Sequence, residues 1–133
     1  MLRLPKALAA EILAHARADQ PAEACGLIAG QAGKAKRLYR IPSDDPSPTS
    51  YYMNPQALFN AMQEMEENGQ DLLAIYHSHP TSPAYPSATD IQLAFYPESF
   101  YLIVSLQVAQ HPEVRAFQIQ DGAVAEVSLV TTS

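Results

Sequence analysis

Two histidines one residue apart, His77 and His79, close the apolar stretch DLLAIYHSH. A spacer carrying Pro80, Pro83 and Pro86 leads from them to Ser87 and Asp90. Side chains alternate across a strand, so both imidazoles of a strand-borne His-x-His point to one side. One ion can therefore meet both. Asp90 falls in the first turn of a predicted helix and adds a carboxylate. Two imidazoles and one carboxylate suit zinc, and three protein ligands leave a fourth position for water. That open position is what separates a catalytic site from a structural one. The prolines stiffen the connection and reduce the entropy lost when the site closes.

Each fragment also has a plain structural reading. A lone His-x-His occurs in many proteins without a metal. Ser-x-x-Asp ahead of a helix is a capping pattern, in which Ser87 and Asp90 satisfy free backbone N–H groups. The two roles are compatible, since Ser87 can cap while its hydroxyl faces a ligand. A serine nucleophile is not indicated, because no third residue is placed to complete a Ser-His-Asp relay.

The full string is more specific than its parts. His77-Ser78-His79, seven residues, then Ser87-Ala88-Thr89-Asp90 resembles the signature of the JAMM, or MPN-plus (Mov34/MPN/PAD-1), metalloproteases. PAEACGLIAG resembles the upstream segment that carries the family's glutamate, here Glu23. TSYYMNPQAL, a helix and then LLAIYHSHP follow the family's order of elements. The resemblance runs from about Leu4 to the final strands, and the chain is similar to the small bacterial members. It implies one Zn2+ per chain, held by His77, His79 and Asp90. Zinc would bring a coordinated water toward a pKa of about 7. Glu23 would act as general base, and Ser87 would donate its hydroxyl to the oxyanion. The implied reaction is hydrolysis of an amide or isopeptide bond after the Gly-Gly tail of a ubiquitin-like or sulfur-carrier protein. The segment Thr49–Asn54 is expected to help line the groove for that tail. An inactive MPN-type scaffold that binds partners is the alternative. A zinc deaminase would need a paired Cys-x-x-Cys, and the chain has one cysteine.

These residues must be positioned by folding, because Glu23 is far upstream of the histidines. Its strand and the histidine strand should be neighbours in one sheet. Leu4, Leu8 and Ile12 fall at helical spacing, with Pro5 suited to a first turn and an end near Asp19–Pro21. EACGLIAG and AKRLYRIP read as strands joined by a turn at Gly33. SDDPSPTS is a loop, and YYM is a brief extended piece. A second helix has Asn54 as cap, Pro55 in its first position, Gly69 as its close, and an apolar stripe of Leu58, Met62 and Met65. The run in DLLAIYHSH predicts a strand buried on both faces. A third helix is predicted from Ser87 to about Tyr96. FYLIVSL is a strand, and VRAFQIQ and AVAEVSLVT form a hairpin about Asp121–Gly122. The sum is one α/β domain over residues 1–133: a mixed sheet flanked by about three helices, MPN-like and loosely similar to the layered cytidine deaminases.

Composition narrows the function classes. With 47% hydrophobic residues among 133, the chain can bury a core. A net charge of −6 argues against a nucleic-acid partner, which needs a basic footprint. The one basic cluster, Lys34, Lys36, Arg37 and Arg40, reads as a solvated strand face. No apolar run approaches the roughly 20 residues of a membrane span, and the amphipathic N-terminal stretch does not read as a signal peptide. A single cysteine, Cys25, forms no internal disulfide and points to a cytoplasmic home. Cys25 reads as a small buried packing residue rather than a catalytic thiol. Gly26 should permit close packing. His15 and His111 read as surface histidines, and Tyr51, Tyr52 and Tyr85 as residues that could border a cleft. The sequence leaves the oligomeric state open.

Overall fold

The computed structural model describes residues 1–133. In chain order the elements are β1 (Leu2–Pro5), α1 (Lys6–Asp19), β2 (Cys25–Gln31), β3 (Lys34–Ile41), α2 (Pro55–Glu67), β4 (Asp71–His79), α3 (Ala88–Gln92), β5 (Phe100–Ser105), β6 (Glu113–Gln120), β7 (Ala123–Val127) and β8 (Leu129–Thr132). Eight strands form one sheet in the order β7-β6-β5-β4-β2-β3-β1-β8. β4 runs parallel to β5, while β2 runs antiparallel to both β3 and β4. The sheet is thus mixed, as the sequence predicts. Only Ser128 separates β7 from β8, yet these strands lie at opposite ends of the order. The sheet must therefore curl until its edges approach, which gives it a barrel-like form.

Three predicted elements differ in the structure. Leu4 and Pro5 belong to a strand, not to the first helix. The alternation Leu2-Arg3-Leu4 buries both leucines between β3 and β8. Full burial of such a side chain contributes about 1.5–3 kcal/mol, more than one further helical residue could offer. The third helix stops at Gln92 rather than near Tyr96. Tyr96 precedes Pro97, a position that disfavours helical backbone, and its amide donates to the Tyr101 hydroxyl at 3.0 Å. The last predicted strand is split at Ser128. Its first half pairs with β6, and its second half pairs in parallel with β1.

The local signals of α2 are all used. The Asn54 side chain accepts from the Ala57 amide at 2.8 Å, Pro55 opens the helix, and Gly69 beyond its end takes a positive φ of 64°. Asp121 and Gly122 also have positive φ, as a tight hairpin turn requires. No helix is long and apolar enough to cross a membrane. The cationic side chains at 34, 36, 37 and 40 are exposed on β3.

Strand alternation divides the core in two. Ile28, Ala74, Tyr76, Leu102 and Val104 pack toward α1 with Ile12 and Ala16. Cys25, Leu27, Ala29, Ile75 and Tyr101 pack toward α2 with Ala61 and Met65. Residues 74–79 of β4 are all buried, consistent with a strand covered on both faces. His15 corrects its sequence reading: it is buried, 6% exposed, and its Nδ1 lies 2.7 Å from the Tyr76 hydroxyl. Its spacing from Ile12 places it on the inner side of α1, where its polar atoms find Tyr76 and Asp19. Burial is the main cause pulling its pKa below the ordinary histidine value.

Gly26 is where Tyr76 crosses the sheet. A Cβ on Gly26 would collide with the Tyr76 ring and with the Tyr39 carbonyl oxygen. Overpacking of this kind costs about 1–3 kcal/mol, and here rigid backbone stands on one side. Gly26→Ala should therefore lower the unfolding free energy obtained from urea titration by about 3 kcal/mol, the upper end of that range, and the midpoint with it. An unchanged midpoint would show that the ring moves aside freely.

Candidate metal centre

The register of β2 on β4 sets Cys25 opposite His77. Glu23 lies two residues before this pair, just outside the ladder, and near enough to His79 and Asp90 for both charges to act on it. The sequence predicts these strands as neighbours, and they are. His77 and His79 share the side of β4 that carries Ile75, toward α2. The spacer 80–86 then folds back against β5 and β6. Ala84 is fully buried with Ile103 and Phe117, and the Ser105 hydroxyl donates to the Ser82 carbonyl at 2.6 Å. This brings α3 over the end of β4.

Three side chains converge there. His77 Nε2 and His79 Nε2 are 3.1 Å apart. Asp90 Oδ2 is 3.1 Å from the first and 3.0 Å from the second. Asp90 is aimed by a reciprocal cap: its amide donates to Ser87 Oγ at 3.0 Å, and its Oδ2 accepts from the Ser87 amide at 2.9 Å. Burial alone would raise the Asp90 pKa, but hydrogen bonds to His77 and His79 outweigh it and hold the carboxyl well below the usual range. Burial dominates at His77 and lowers its pKa. At His79 burial acts the same way, but hydrogen bonds to Asp90 and to Pro83 prevail and raise it.

The donor set fits a metal ion. His79 Nδ1 lies 2.7 Å from the Pro83 carbonyl oxygen. A carbonyl only accepts, so this nitrogen carries the ring proton. In neutral His79 the Nε2 is then a bare lone pair facing an ionised carboxylate. A proton on His77 would satisfy only part of this meeting of acceptors. A cation at the centre satisfies all three atoms at once. Zinc ligands at about 2.0–2.1 Å in tetrahedral geometry stand about 3.3 Å apart, close to the separations found here. His77, His79 and Asp90 are thus a group that could hold a metal ion.

Glu23 is buried, 4% exposed, and its Oε1 has no hydrogen-bond partner. Burial pushes its carboxyl up to about 8, with His79 opposing and Asp90 adding to the rise. A carboxylate left without a partner next to an acceptor cluster is poised to hold a proton. Ser87 is exposed at the start of α3. Its Oγ accepts from Asp90, which leaves its own O–H free to donate.

Beside this cluster lies an apolar cavity of about 370 Å³, lined by residues that include Tyr51, Tyr52, Met53, Thr89, Asp90 and Tyr96. The Tyr51 ring stands 4.9 Å from the His77 ring. Tyr85 does not border this cavity. It packs edge-on against Phe117 instead, 5.4 Å between centroids. Cys25 is fully buried, its thiol donates to the Ile41 carbonyl, and burial pushes its pKa up to about 12. That environment fits a packing residue and not a nucleophile.

Residues 5–120 match the family described as prokaryotic homologs of the JAB domain. The chain belongs to that family. Among JAB relatives, the CysO-cysteine peptidase of Mycobacterium tuberculosis is 39% identical over 117 residues, covering 86% of this chain and 80% of that protein. The "Probable TtuB-protein conjugate cleaving protease" of Thermus thermophilus is 38% identical over 131 residues, 98% of this chain and 82% of that protein. The solution structure of a Desulfitobacterium hafniense protein superposes with a TM-score of 0.89 at 39% identity, covering 99% of this chain and 93% of that one.

Two contributors to this cluster carry no sequence signal of their own. The Pro83 carbonyl fixes the His79 tautomer, and main-chain acceptors leave no mark in residue type. Ser78 sits between the histidines, where nothing but its position in the motif draws notice.

Proposed function

We propose that this chain is a zinc-dependent peptidase of the JAMM type, acting as one catalytic domain. Its substrate is an amide bond after the C-terminal Gly-Gly of a ubiquitin-like or sulfur-carrier protein. The observation that carries this reading is the meeting of His77 Nε2, His79 Nε2 and Asp90 Oδ2 within 3.0–3.1 Å of one another. The names of the two relatives, a carrier-cysteine peptidase and a conjugate-cleaving protease, agree with it.

When bound, zinc supplies Lewis acidity at the scissile carbonyl and at water. His77, His79 and Asp90 would hold it, with the His79 ring oriented by Pro83. Glu23 takes the proton of the attacking water and returns it to the leaving amine. A nearby cation would draw the Glu23 pKa down from about 8 and ready it as a base near neutral pH. Ser87 donates its hydroxyl to the developing oxyanion. The segment Thr49–Asn54 lines the tail groove, since Tyr51, Tyr52 and Met53 border the cavity that reaches Asp90. Amide signals of these residues should shift when a Gly-Gly tail peptide is titrated; unchanged signals would remove the groove assignment.

Ser87→Ala should keep one zinc per chain while slowing turnover by about 10²–10³. Metal content measured beside kcat decides this. Loss of zinc would mean instead that the Ser87 hydroxyl matters as the cap that aims Asp90, not as a donor to the oxyanion. The function itself is tested by incubating zinc-loaded protein with Gly-Gly-tailed carriers bearing different additional residues, with products read by mass spectrometry. Release of the appended residue is expected. No cleavage of any fusion would favour a non-catalytic scaffold.

A further inference from the structure

The middle residue of His77-Ser78-His79 takes no part in the chemistry above. Alternation turns its side chain to the opposite side of β4 from both imidazoles. It is nevertheless fully buried. Its hydroxyl oxygen accepts from the Ala24 amide at 2.8 Å, and its own amide donates to the Ala24 carbonyl at 3.0 Å. A regular antiparallel pair of this kind exchanges two main-chain bonds. Here the main chain makes one, and the Ser78 side chain makes the other. The β2–β4 ladder starts one pair farther on, with Cys25 opposite His77. The chain therefore leaves the sheet at Ala24, and the residue that leaves is Glu23.

Glu23 is held from both sides. Its own amide donates to the Ser47 carbonyl at 2.8 Å, and the next amide is the one bound by Ser78. Its Oε1, in contrast, has no partner, so main-chain anchors do most to set where the carboxylate stands. Ala24 is 1% exposed. Without the Ser78 hydroxyl its amide would be buried and unpaired, a costly state that the chain would escape by shifting.

We infer that Ser78 is a positioning residue: by taking the Ala24 amide with its side chain, it fixes Glu23 against the His77–His79–Asp90 group. The inference rests on the proposed role of Glu23 as base. It gives the serine between the histidines a task distinct from metal binding, since the ligands lie on the other side of the strand.

The test compares wild type, Ser78→Ala and Ser78→Thr as full chains, loaded with cobalt or zinc. In Ser78→Ala the Ala24 amide should exchange about tenfold faster or more, and the side-chain carboxyl carbon resonance of Glu23 should move. The cobalt absorption bands should stay unchanged. On a cleavable Gly-Gly fusion kcat should fall about 10²-fold with KM unaltered, as expected for a misplaced catalytic group. Ser78→Thr, which keeps the hydroxyl, should restore the amide protection and the Glu23 resonance. The inference is overturned if Ser78→Ala leaves the Glu23 resonance and kcat as in wild type. It is equally overturned if the cobalt bands change together with kcat, because Ser78 would then support the ligands. Absence of cleavage by wild type would count against the proposed function, while the Ala24 and Glu23 resonances would still decide the role of Ser78.

Discussion

Glu23→Gln should leave one metal ion per chain and lower kcat by about 10²–10⁴-fold, the usual contribution of a positioned general base. Glutamine keeps the shape of the side chain and removes its ability to take a proton. Glu23 lies outside the cluster formed by His77, His79 and Asp90, so metal content should not follow activity. The substitution should also be tolerated by the fold. The carboxyl is buried with an unpartnered oxygen, and burial is the main cause that pushes its pKa up to about 8. A neutral amide there carries no charge to desolvate, so thermal stability of the metal-free protein should not fall. Metal analysis, kcat and a melting curve on one preparation check all three. Near-normal turnover in Glu23→Gln would remove Glu23 from the mechanism.

His77→Ala and Asp90→Ala should each lose metal and activity together. Each removes one of only three protein atoms at the centre, and the two acceptors left cannot close a tetrahedral site. The loss should exceed the roughly 10–100-fold that residues supporting a metal ligand typically contribute. Asp90 needs a control, because its Oδ2 also accepts from the Ser87 amide. Asp90→Asn keeps an acceptor for that amide and drops the charge. If Asp90→Asn also weakens zinc, the carboxylate matters as a ligand rather than as a cap. Equilibrium dialysis against a zinc buffer reads both variants. Stoichiometric zinc in His77→Ala would show that this histidine is not a ligand.

The three candidate ligands are carried by elements held in different ways. The imidazoles ride on β4, a nine-residue strand whose last six residues are all buried. Asp90 rides on α3, five residues long with no buried residue of its own. What holds α3 in place is the spacer before it. Ala84 is buried against Ile103 and Phe117, Ser82 is bound by Ser105, and Pro83 is bound by His79. The proline-rich spacer is thus part of the site and more than a tether.

Much of this protein was legible from residue order alone. Period-two spacing in His77-Ser78-His79 put both rings on one side, because strand alternation is a local property. Asn54, Pro55 and Gly69 marked the bounds of α2, because capping and positive φ are decided within a few residues. Ser87-x-x-Asp90 marked the start of α3 for the same reason. The family signature pointed to Glu23, which no local rule could have linked to the histidines. Where prediction by sequence departed from the structure, a distant partner decided. Leu4 and Pro5 became strand because β8, from the other end of the chain, supplies the pairing. The single strand predicted over AVAEVSLVT breaks at Ser128 because its second half pairs with β1 at the opposite edge of the curled sheet. His15 went inside because Tyr76 waits there with a hydroxyl. The sequence determined which atoms could bind a cation and on which local elements they ride. Only the tertiary structure brought three of them within 3.1 Å, fixed the His79 tautomer through Pro83, and brought Glu23 close enough to His79 and Asp90 for their charges to act on it. Those distances depend on strand register and loop anchoring between residues far apart in the chain, and no spacing rule encodes them.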